Sequence, residues 1–285
     1  MTRVDHPSPD ELEAISALVA AEQVRPDRCI PYFSDGAGAI AQEIQGDTPW
    51  VGRTWVLRTS GIVGALVAET DDELDRVWWT GPFVAAGDWQ RGADLLYEAA
   101  RTAVPHYQEE LAGDHRHRYL AEFARRNGFH AEEASAALLC TTAPPPPDVP
   151  CRPVLQRERP HVAAMHDRVF PGTHSPGTRL VGRDDPDLMC LVTHVGGSIA
   201  GYIAVEVQPD GSGYIDFVGV GADYRRRGLG RALVASATRA LFERGVRYVH
   251  LTVRAGNAAA RRLYTDLGFV EDRVIVPYRK GFSLD

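Results

Sequence analysis

Arg225, Arg226 and Arg227 run directly into Gly228-Leu229-Gly230, with Arg231 next in line. Upstream lies a strand-like run, Tyr214-Ile215-Asp216-Phe217-Val218-Gly219-Val220. Downstream, Leu229, Leu233, Ala237, Ala240 and Leu241 share one face at helical spacing. Four arginines therefore crowd a helix N-terminus, where the macrodipole disfavours cations. Two glycines bring the backbone close to whatever sits there and leave amide N–H groups pointing outward. Cations, bare amides and a helix start together make a seat for an anion such as a phosphate or pyrophosphate. An arginine run alone is most often a solvated face, the more so in a chain whose only lysine is Lys280. The order of strand, spaced glycines and helix is what points to anion binding.

Around this turn stand 285 residues, a length that suits two domains of ordinary size. Hydrophobic content of 44% with 24% charged residues is that of a globular protein. A net charge of -7 argues against a nucleic-acid binder, which would carry a basic excess. No basic region leads into an apolar stretch at the start, and no run of about 18 apolar residues occurs. The expectation is a cytoplasmic protein with no nucleic-acid or membrane partner. Cys29, Cys140, Cys151 and Cys190 are scattered without a C-x-x-C pair and read as reduced, structural thiols. His115-x-His117 and the His161/His166 pair lack further ligands at recognisable spacing, so no metal is expected.

Residues 141–150, Thr-Thr-Ala-Pro-Pro-Pro-Pro-Asp-Val-Pro, read as an extended spacer between two similar halves. Each half opens with a helix pattern, the first introduced by the capping sequence Ser8-Pro9-Asp10-Glu11. Two apolar strand candidates follow, 54–58 and 62–69 in one half, 189–194 and 199–207 in the other. A third strand then enters a glycine-started helix: 76–84 into 92–103, and 213–220 into 228–244. Each half also has a helix ending in Gly-Phe, at Gly128-Phe129 and Gly268-Phe269, 140 residues apart. An internal duplication is expected.

The second half resembles the GNAT superfamily of acyl-CoA-dependent N-acetyltransferases. The family signature Q/R-x-x-G-x-G/A falls on Arg225, Gly228 and Gly230. The resemblance implies that the amides of Arg226, Arg227, Gly228, Leu229, Gly230 and Arg231 hold the CoA pyrophosphate. It makes Val218-Gly219-Val220 the bulged strand that pairs with the pantetheine arm. It also places Asn257 against the cofactor and Tyr264 near its sulfur. Read as residues alone, Asn257 is equally a favoured N-cap, and Tyr264 shares an apolar face with Ala260, Leu263 and Leu267. The fold implied is α/β (α+β), two tandem GNAT-like domains, each a mixed, largely antiparallel sheet flanked by helices. The domains expected are 1–140, degenerate and non-catalytic; 141–150, the linker; and 151–285, catalytic and binding acetyl-CoA.

The first half departs where chemistry is needed. On a gap-free alignment Trp89 replaces the first Arg/Gln of the signature and Asp94 its second glycine. Counting back from the Gly-Phe pairs, His117 stands for Asn257 and Ala124 for Tyr264. An eroded first copy beside an intact second is the arrangement of tandem family members such as the mycothiol synthases. The reaction implied is direct transfer of acetyl from acetyl-CoA to a primary amine of a small molecule. Asp216 or an ordered water takes the amine proton, the Val218 N–H steadies the carbonyl oxygen, and Tyr264 protonates the leaving thiolate. The acceptor pocket is expected near the glycine- and proline-rich loop 171–178, where the lone His174 carries no assignment of its own. Two other readings stand beside this one: a protein or peptide N-acetyltransferase, and a non-catalytic acyl-CoA sensor.

Overall fold

The computed structural model describes residues 2–46, 49–104, 108–182 and 185–281. They form two compact units, one of residues up to 135 together with those from 273 onward, the other of residues 136–272. The boundaries thus differ from the expected 140 and 151.

The first unit begins with β1 (Arg3–Asp5), α1 (Leu12–Gln23) and α2 (Ala37–Gln45). Entry to α1 is set by the backbone N–H of Ser8 donating to Glu11 Oε2 at 2.8 Å. β2 (Thr54–Arg58), β3 (Ile62–Asp71) and β4 (Arg76–Val84) form an antiparallel run. α3 (Trp89–Ala103) follows, then β5 (Gln108–Asp114), which pairs parallel with β4, then α4 (Arg118–Arg126) and the short β6 (His130–Ala131). Its core gathers Ile15, Ile40, Leu66, Phe83, Leu96 and Phe123 between sheet and helices.

Second-unit structure starts at β7 (Ser135–Cys140), whose alternate residues Ala136, Leu138 and Cys140 are buried in that unit's core. The residues of the proline-rich spacer form no helix or strand. Next come β8 (Arg152–Pro153), α5 (Arg159–Val169) and α6 (Gly177–Gly182). β9 (Leu188–Val195), β10 (Ser198–Val207) and β11 (Gly213–Val220) are antiparallel neighbours. α7 (Leu229–Glu243) leads to β12 (Val249–Arg254), parallel to β11, then α8 (Ala258–Thr265) and β13 (Val270–Lys280). From residue 273 β13 belongs to the first unit, where Ile275 pairs with Asp114 and Lys280 with Glu109 of β5. A proline spacer marks where the chain is extended; it does not say which sheet the strands on either side complete.

Both halves of the chain repeat one order: three antiparallel strands, a 15-residue helix, a parallel strand, a short helix and a closing strand. Each sheet is mixed and mostly antiparallel, as expected. Among the described residues no helix is long and apolar enough to cross a membrane.

Candidate active site

β11 pairs with β10 from Gly201↔Val220 to Ala204↔Phe217, then resumes at Val205↔Ile215, which leaves Asp216 as an extra residue. The bulge turns consecutive side chains, Asp216 and Phe217, to the same face. Phe217 packs on His166, Phe170 and His174. Asp216, with Arg159, Ser175, Arg179 and Glu206, lines a cavity of about 110 Å³ walled by apolar residues of β9 and β10.

The bulge also ends a pairing. β11 and β12 are joined only from Gly213↔Val249 to Ile215↔Leu251, so residues 217–220 diverge from β12. Gly221 N–H donates to Ala200 O at 3.0 Å. By alternation Gly219 also turns its backbone groups to β10, and Val218 and Val220 turn theirs to the opened side. The irregularity was expected at Val218-Gly219-Val220 and lies instead at Asp216. Gly219 has a different reason to lack a side chain, because a Cβ there would overlap the ring of Tyr202. That ring is fully buried, and its hydroxyl lies 2.6 Å from His166 Nδ1. His166 Nε2 lies 2.8 Å from Ser175 O, which can only accept, so Nε2 carries the proton and Nδ1 accepts from Tyr202. Burial holds the His166 pKa below its ordinary value.

Past β11 the backbone takes left-handed values at Arg226 (φ 60°) and at Gly228 (φ 77°), the N-cap of α7. No side chain caps this helix. Arg225 N–H reaches Ala222 O, and the next backbone donor in use is Ala232 N–H, to Gly228 O at 3.0 Å. Among the described residues the N–H groups of 226–231 therefore have no partner. The arginine side chains do not cover them. Arg225 Nε lies 3.2 Å from Val220 O, Arg227 3.1 Å from Asp223 O, and Arg231 3.4 Å from Asp266 O, all three exposed. A Cβ on Gly230 would lie 3.5 Å from Leu263 and 3.9 Å from Val220, so the first turn of α7 sits against both α8 and the end of β11. Bare amides, a left-handed glycine and surrounding cations suit a diphosphate.

Asn257 is the N-cap of α8, its side-chain oxygen accepting from Ala260 N–H at 3.1 Å, so the capping role is present in the structure. Tyr264, 6% exposed, meets Phe269 edge-on at 5.8 Å. Its hydroxyl has no hydrogen-bond partner among the described residues, and burial pushes its pKa up to about 12.

In the first unit the equivalent turn carries a capping carboxylate and no arginine run. α3 and α7, each of 15 residues, start 140 residues apart, the same offset as the Gly-Phe pairs. Asp88 therefore stands at the place of Gly228, and the gap-free alignment through Gly92 was one helical turn out of step. Asp88 caps α3 by accepting Arg91 N–H at 3.2 Å. Trp89 is buried against His117, Tyr119 and Phe123, with the Arg28 guanidinium over the Tyr119 ring at 4.2 Å. Gly92 is a packing glycine, since a Cβ would come within 2.9 Å of Leu57 and 3.0 Å of Val84. Asp94 pairs with Arg126 at 3.0 Å. His117 caps α4 as Asn257 caps α8, and buried Ala124 leaves no hydroxyl at the place of Tyr264.

Three features escaped the sequence reading: the Tyr202–His166 pair, the bulge position, and the approach of His174 Nε2 to within 3.4 Å of Asp216 Oδ1. The partners are 36 and 42 residues apart, and no local spacing signals such contacts. Among the described residues no group of three or more His, Cys, Asp or Glu is placed to hold a metal ion.

Residues 159–269 match the family model described as Acetyltransferase (GNAT) family. A mycothiol acetyltransferase of Nocardiopsis dassonvillei is 39% identical over 93 residues, 30% of this chain and 28% of that protein. The ribosomal protein bS18-alanine N-acetyltransferase of Escherichia coli is 43% identical over 75 residues, 26% of this chain and 50% of that enzyme. The similarity thus spans at most half the length of either relative. A solved GCN5-related N-acetyltransferase from Sphaerobacter thermophilus superposes with a TM-score of 0.74 at 21% identity, covering 98% of this chain and 95% of its own, a likeness of fold through both units. The segment that carries the bulged strand, the uncapped glycine turn and α8 is an acetyltransferase domain of the GNAT family.

Proposed function

We propose that the second unit is an N-acetyltransferase that moves an acetyl group from acetyl-CoA to a primary amine of a small molecule, and that the first unit does no chemistry. The observation that carries this reading is the set of unpartnered amides at 226–231 beside the diverging strand β11. Arg226, Arg227, Gly228, Leu229, Gly230 and Arg231 would hold the CoA diphosphate by their N–H groups, with Arg225 adding charge. Val218, Gly219 and Val220 would line the pantetheine arm, Val218 and Val220 offering backbone groups on the open side. Bound there, acetyl-CoA supplies a thioester, an acyl group already activated toward an amine.

The chain's own groups do the rest. Val218 N–H donates to the carbonyl oxygen as negative charge grows there. Asp216 draws away the proton that the attacking amine must lose. Tyr264 keeps its proton to high pH and gives it to the departing sulfur. Asn257 would lie against the cofactor while capping α8, the helix that carries Tyr264. The first-unit turn carries the Asp88 carboxylate at the place of Gly228 and Ala85-Ala86-Gly87 at the place of the three arginines, so it would repel a diphosphate. We place the protein in the cytoplasm, where its four thiols stay reduced.

A second reading, acetylation of a protein N-terminus, is favoured by the likeness to the bS18-alanine enzyme. Acetyl-CoA-dependent thiol release over a panel of small amines and N-terminal peptides separates the two. Turnover confined to peptides would overturn the small-molecule assignment. Thermal stabilisation by acetyl-CoA without turnover on any acceptor would make the protein a sensor.

A further inference from the structure

We propose that His174 is the group that touches the acceptor amine and takes its proton, with Asp216 acting through it. The inference rests on the acetyl transfer proposed above. His174 lies in the loop between α5 and α6, and the end of that loop just after it is tied to α5. Ser175 O accepts from His166 at 2.8 Å, and Gly177 N–H donates to Asp167 Oδ1 at 2.7 Å. Gly177 also lies so close to Ala163 of α5 that any side chain there would collide with its backbone. The imidazole so placed stacks on Phe217, with ring centroids 5.1 Å apart and planes at 25°. Its Nε2 points at Asp216, 3.4 Å from Oδ1, a separation long for a hydrogen bond but of the kind that tightens when substrate binds.

Exposure decides which of the two groups an acceptor meets. The Asp216 side chain is 20% exposed and that of His174 is 52% exposed. An amine entering from solvent reaches the ring first. The bulge is what makes the pair possible, because it sets Asp216 beside Phe217 on the face that the loop covers. Asp216 favours the tautomer with the proton on Nε2, which leaves the lone pair on Nδ1, next to Thr173 Oγ1 at 3.5 Å.

The step balances. The amine nitrogen forms a bond to the thioester carbonyl carbon, and its N–H proton passes to His174 Nδ1. The carbon–sulfur bond breaks, and the sulfur leaves with the Tyr264 proton. Water returns a proton to Tyr264 and removes one from His174. Among the described residues, the charged and titratable groups facing the ring and the adjoining cavity are Asp216 from β11, His166, Asp167 and Arg159 from α5, Arg179 from α6 and Glu206 from β10.

Two measurements on the full chain test this. Nitrogen-15 spectra of the histidine side chains should show His174 as the Nε2–H tautomer, and Asp216→Asn should shift it toward the mixed tautomers of a free ring. In steady-state kinetics His174→Ala should lower kcat about 100-fold or more at unchanged acetyl-CoA affinity. Added imidazole should restore part of the rate, and His174→Ala/Asp216→Asn should be no slower than the worse single variant. An active wild type whose His174→Ala variant keeps its kcat and pH profile would overturn the proposal alone. So would a His174 tautomer indifferent to Asp216→Asn. A wild type silent on every amine would overturn the acetyl-transfer reading, and this one with it.

Discussion

Replacing Gly230 by Asp separates the diphosphate seat from every structural role of the residue. The new Cβ would meet Leu263 at 3.5 Å and Val220 at 3.9 Å, both ordinary contacts, so the fold has room for it. A carboxylate in the first turn of α7 complements the helix dipole, so the free protein should melt no lower and be stabilised by about 0.3–1 kcal/mol. Against a diphosphate on the same amides the sign reverses. Two unit charges about 4 Å apart at an effective dielectric near 20 repel by about 4 kcal/mol, or roughly 1000-fold in affinity. Partial pairing with Arg226 or Arg231 would bring the loss nearer 100-fold. Gly230→Ala places the same Cβ without the charge and should bind within about threefold of wild type. Titration calorimetry with acetyl-CoA and CoA, alongside thermal melts, reads both quantities. A folded Gly230→Asp protein that binds acetyl-CoA within about tenfold of wild type would refute the reasoning.

Tyr264→Phe removes a hydroxyl that no described residue holds, so melting temperature and acetyl-CoA affinity should hardly change while kcat falls at least tenfold. With its pKa near 12, Tyr264 should add no alkaline fall in kcat below about pH 11, and an unchanged kcat in the variant would remove it from the chemistry. His117, the buried cap of α4, has its pKa lowered to about 4 by burial first and by Arg28 second. The unfolded chain binds that proton more readily, so the stability tied to it is complete above pH ~6.5 and is lost as pH falls toward 4, about 2 kcal/mol of it by pH 5. All five tryptophans lie in the first unit, so urea unfolding followed by their fluorescence reports on it. His117→Asn keeps a capping side chain and should lose about 2 kcal/mol less than wild type between pH 7 and pH 5; equal losses would contradict the assignment.

The glycine turn was legible because its demands are local: a left-handed residue, a helix start and bare amides all lie within a few positions of Gly228. Strands and helices followed their apolar periods closely, with bounds such as 54–58, 76–84 and 213–220 matching β2, β4 and β11. What escaped was set by distant partners. Gly219 reads like a bulge residue, yet its missing side chain makes room for Tyr202, 17 positions earlier in the chain. Asp216 carries no mark of being the extra residue, because a bulge is a mismatch with β10 and cannot be seen in β11 alone. The one-turn slip at Gly92 arose because that glycine answers to Leu57 and Val84 and to no ligand. The strands on either side of the proline spacer were assigned by sequence order, whereas burial of Ala136, Leu138 and Cys140 decides which core β7 completes.

Hydrogen exchange read amide by amide, with and without acetyl-CoA, addresses the division of labour between the two units most directly. The N–H groups of 226–231 should exchange fast in the free protein and slow strongly on binding, while those of 86–91 should not respond. Slowing across 86–91, or unchanged exchange across 226–231 at saturating acetyl-CoA, would contradict the account.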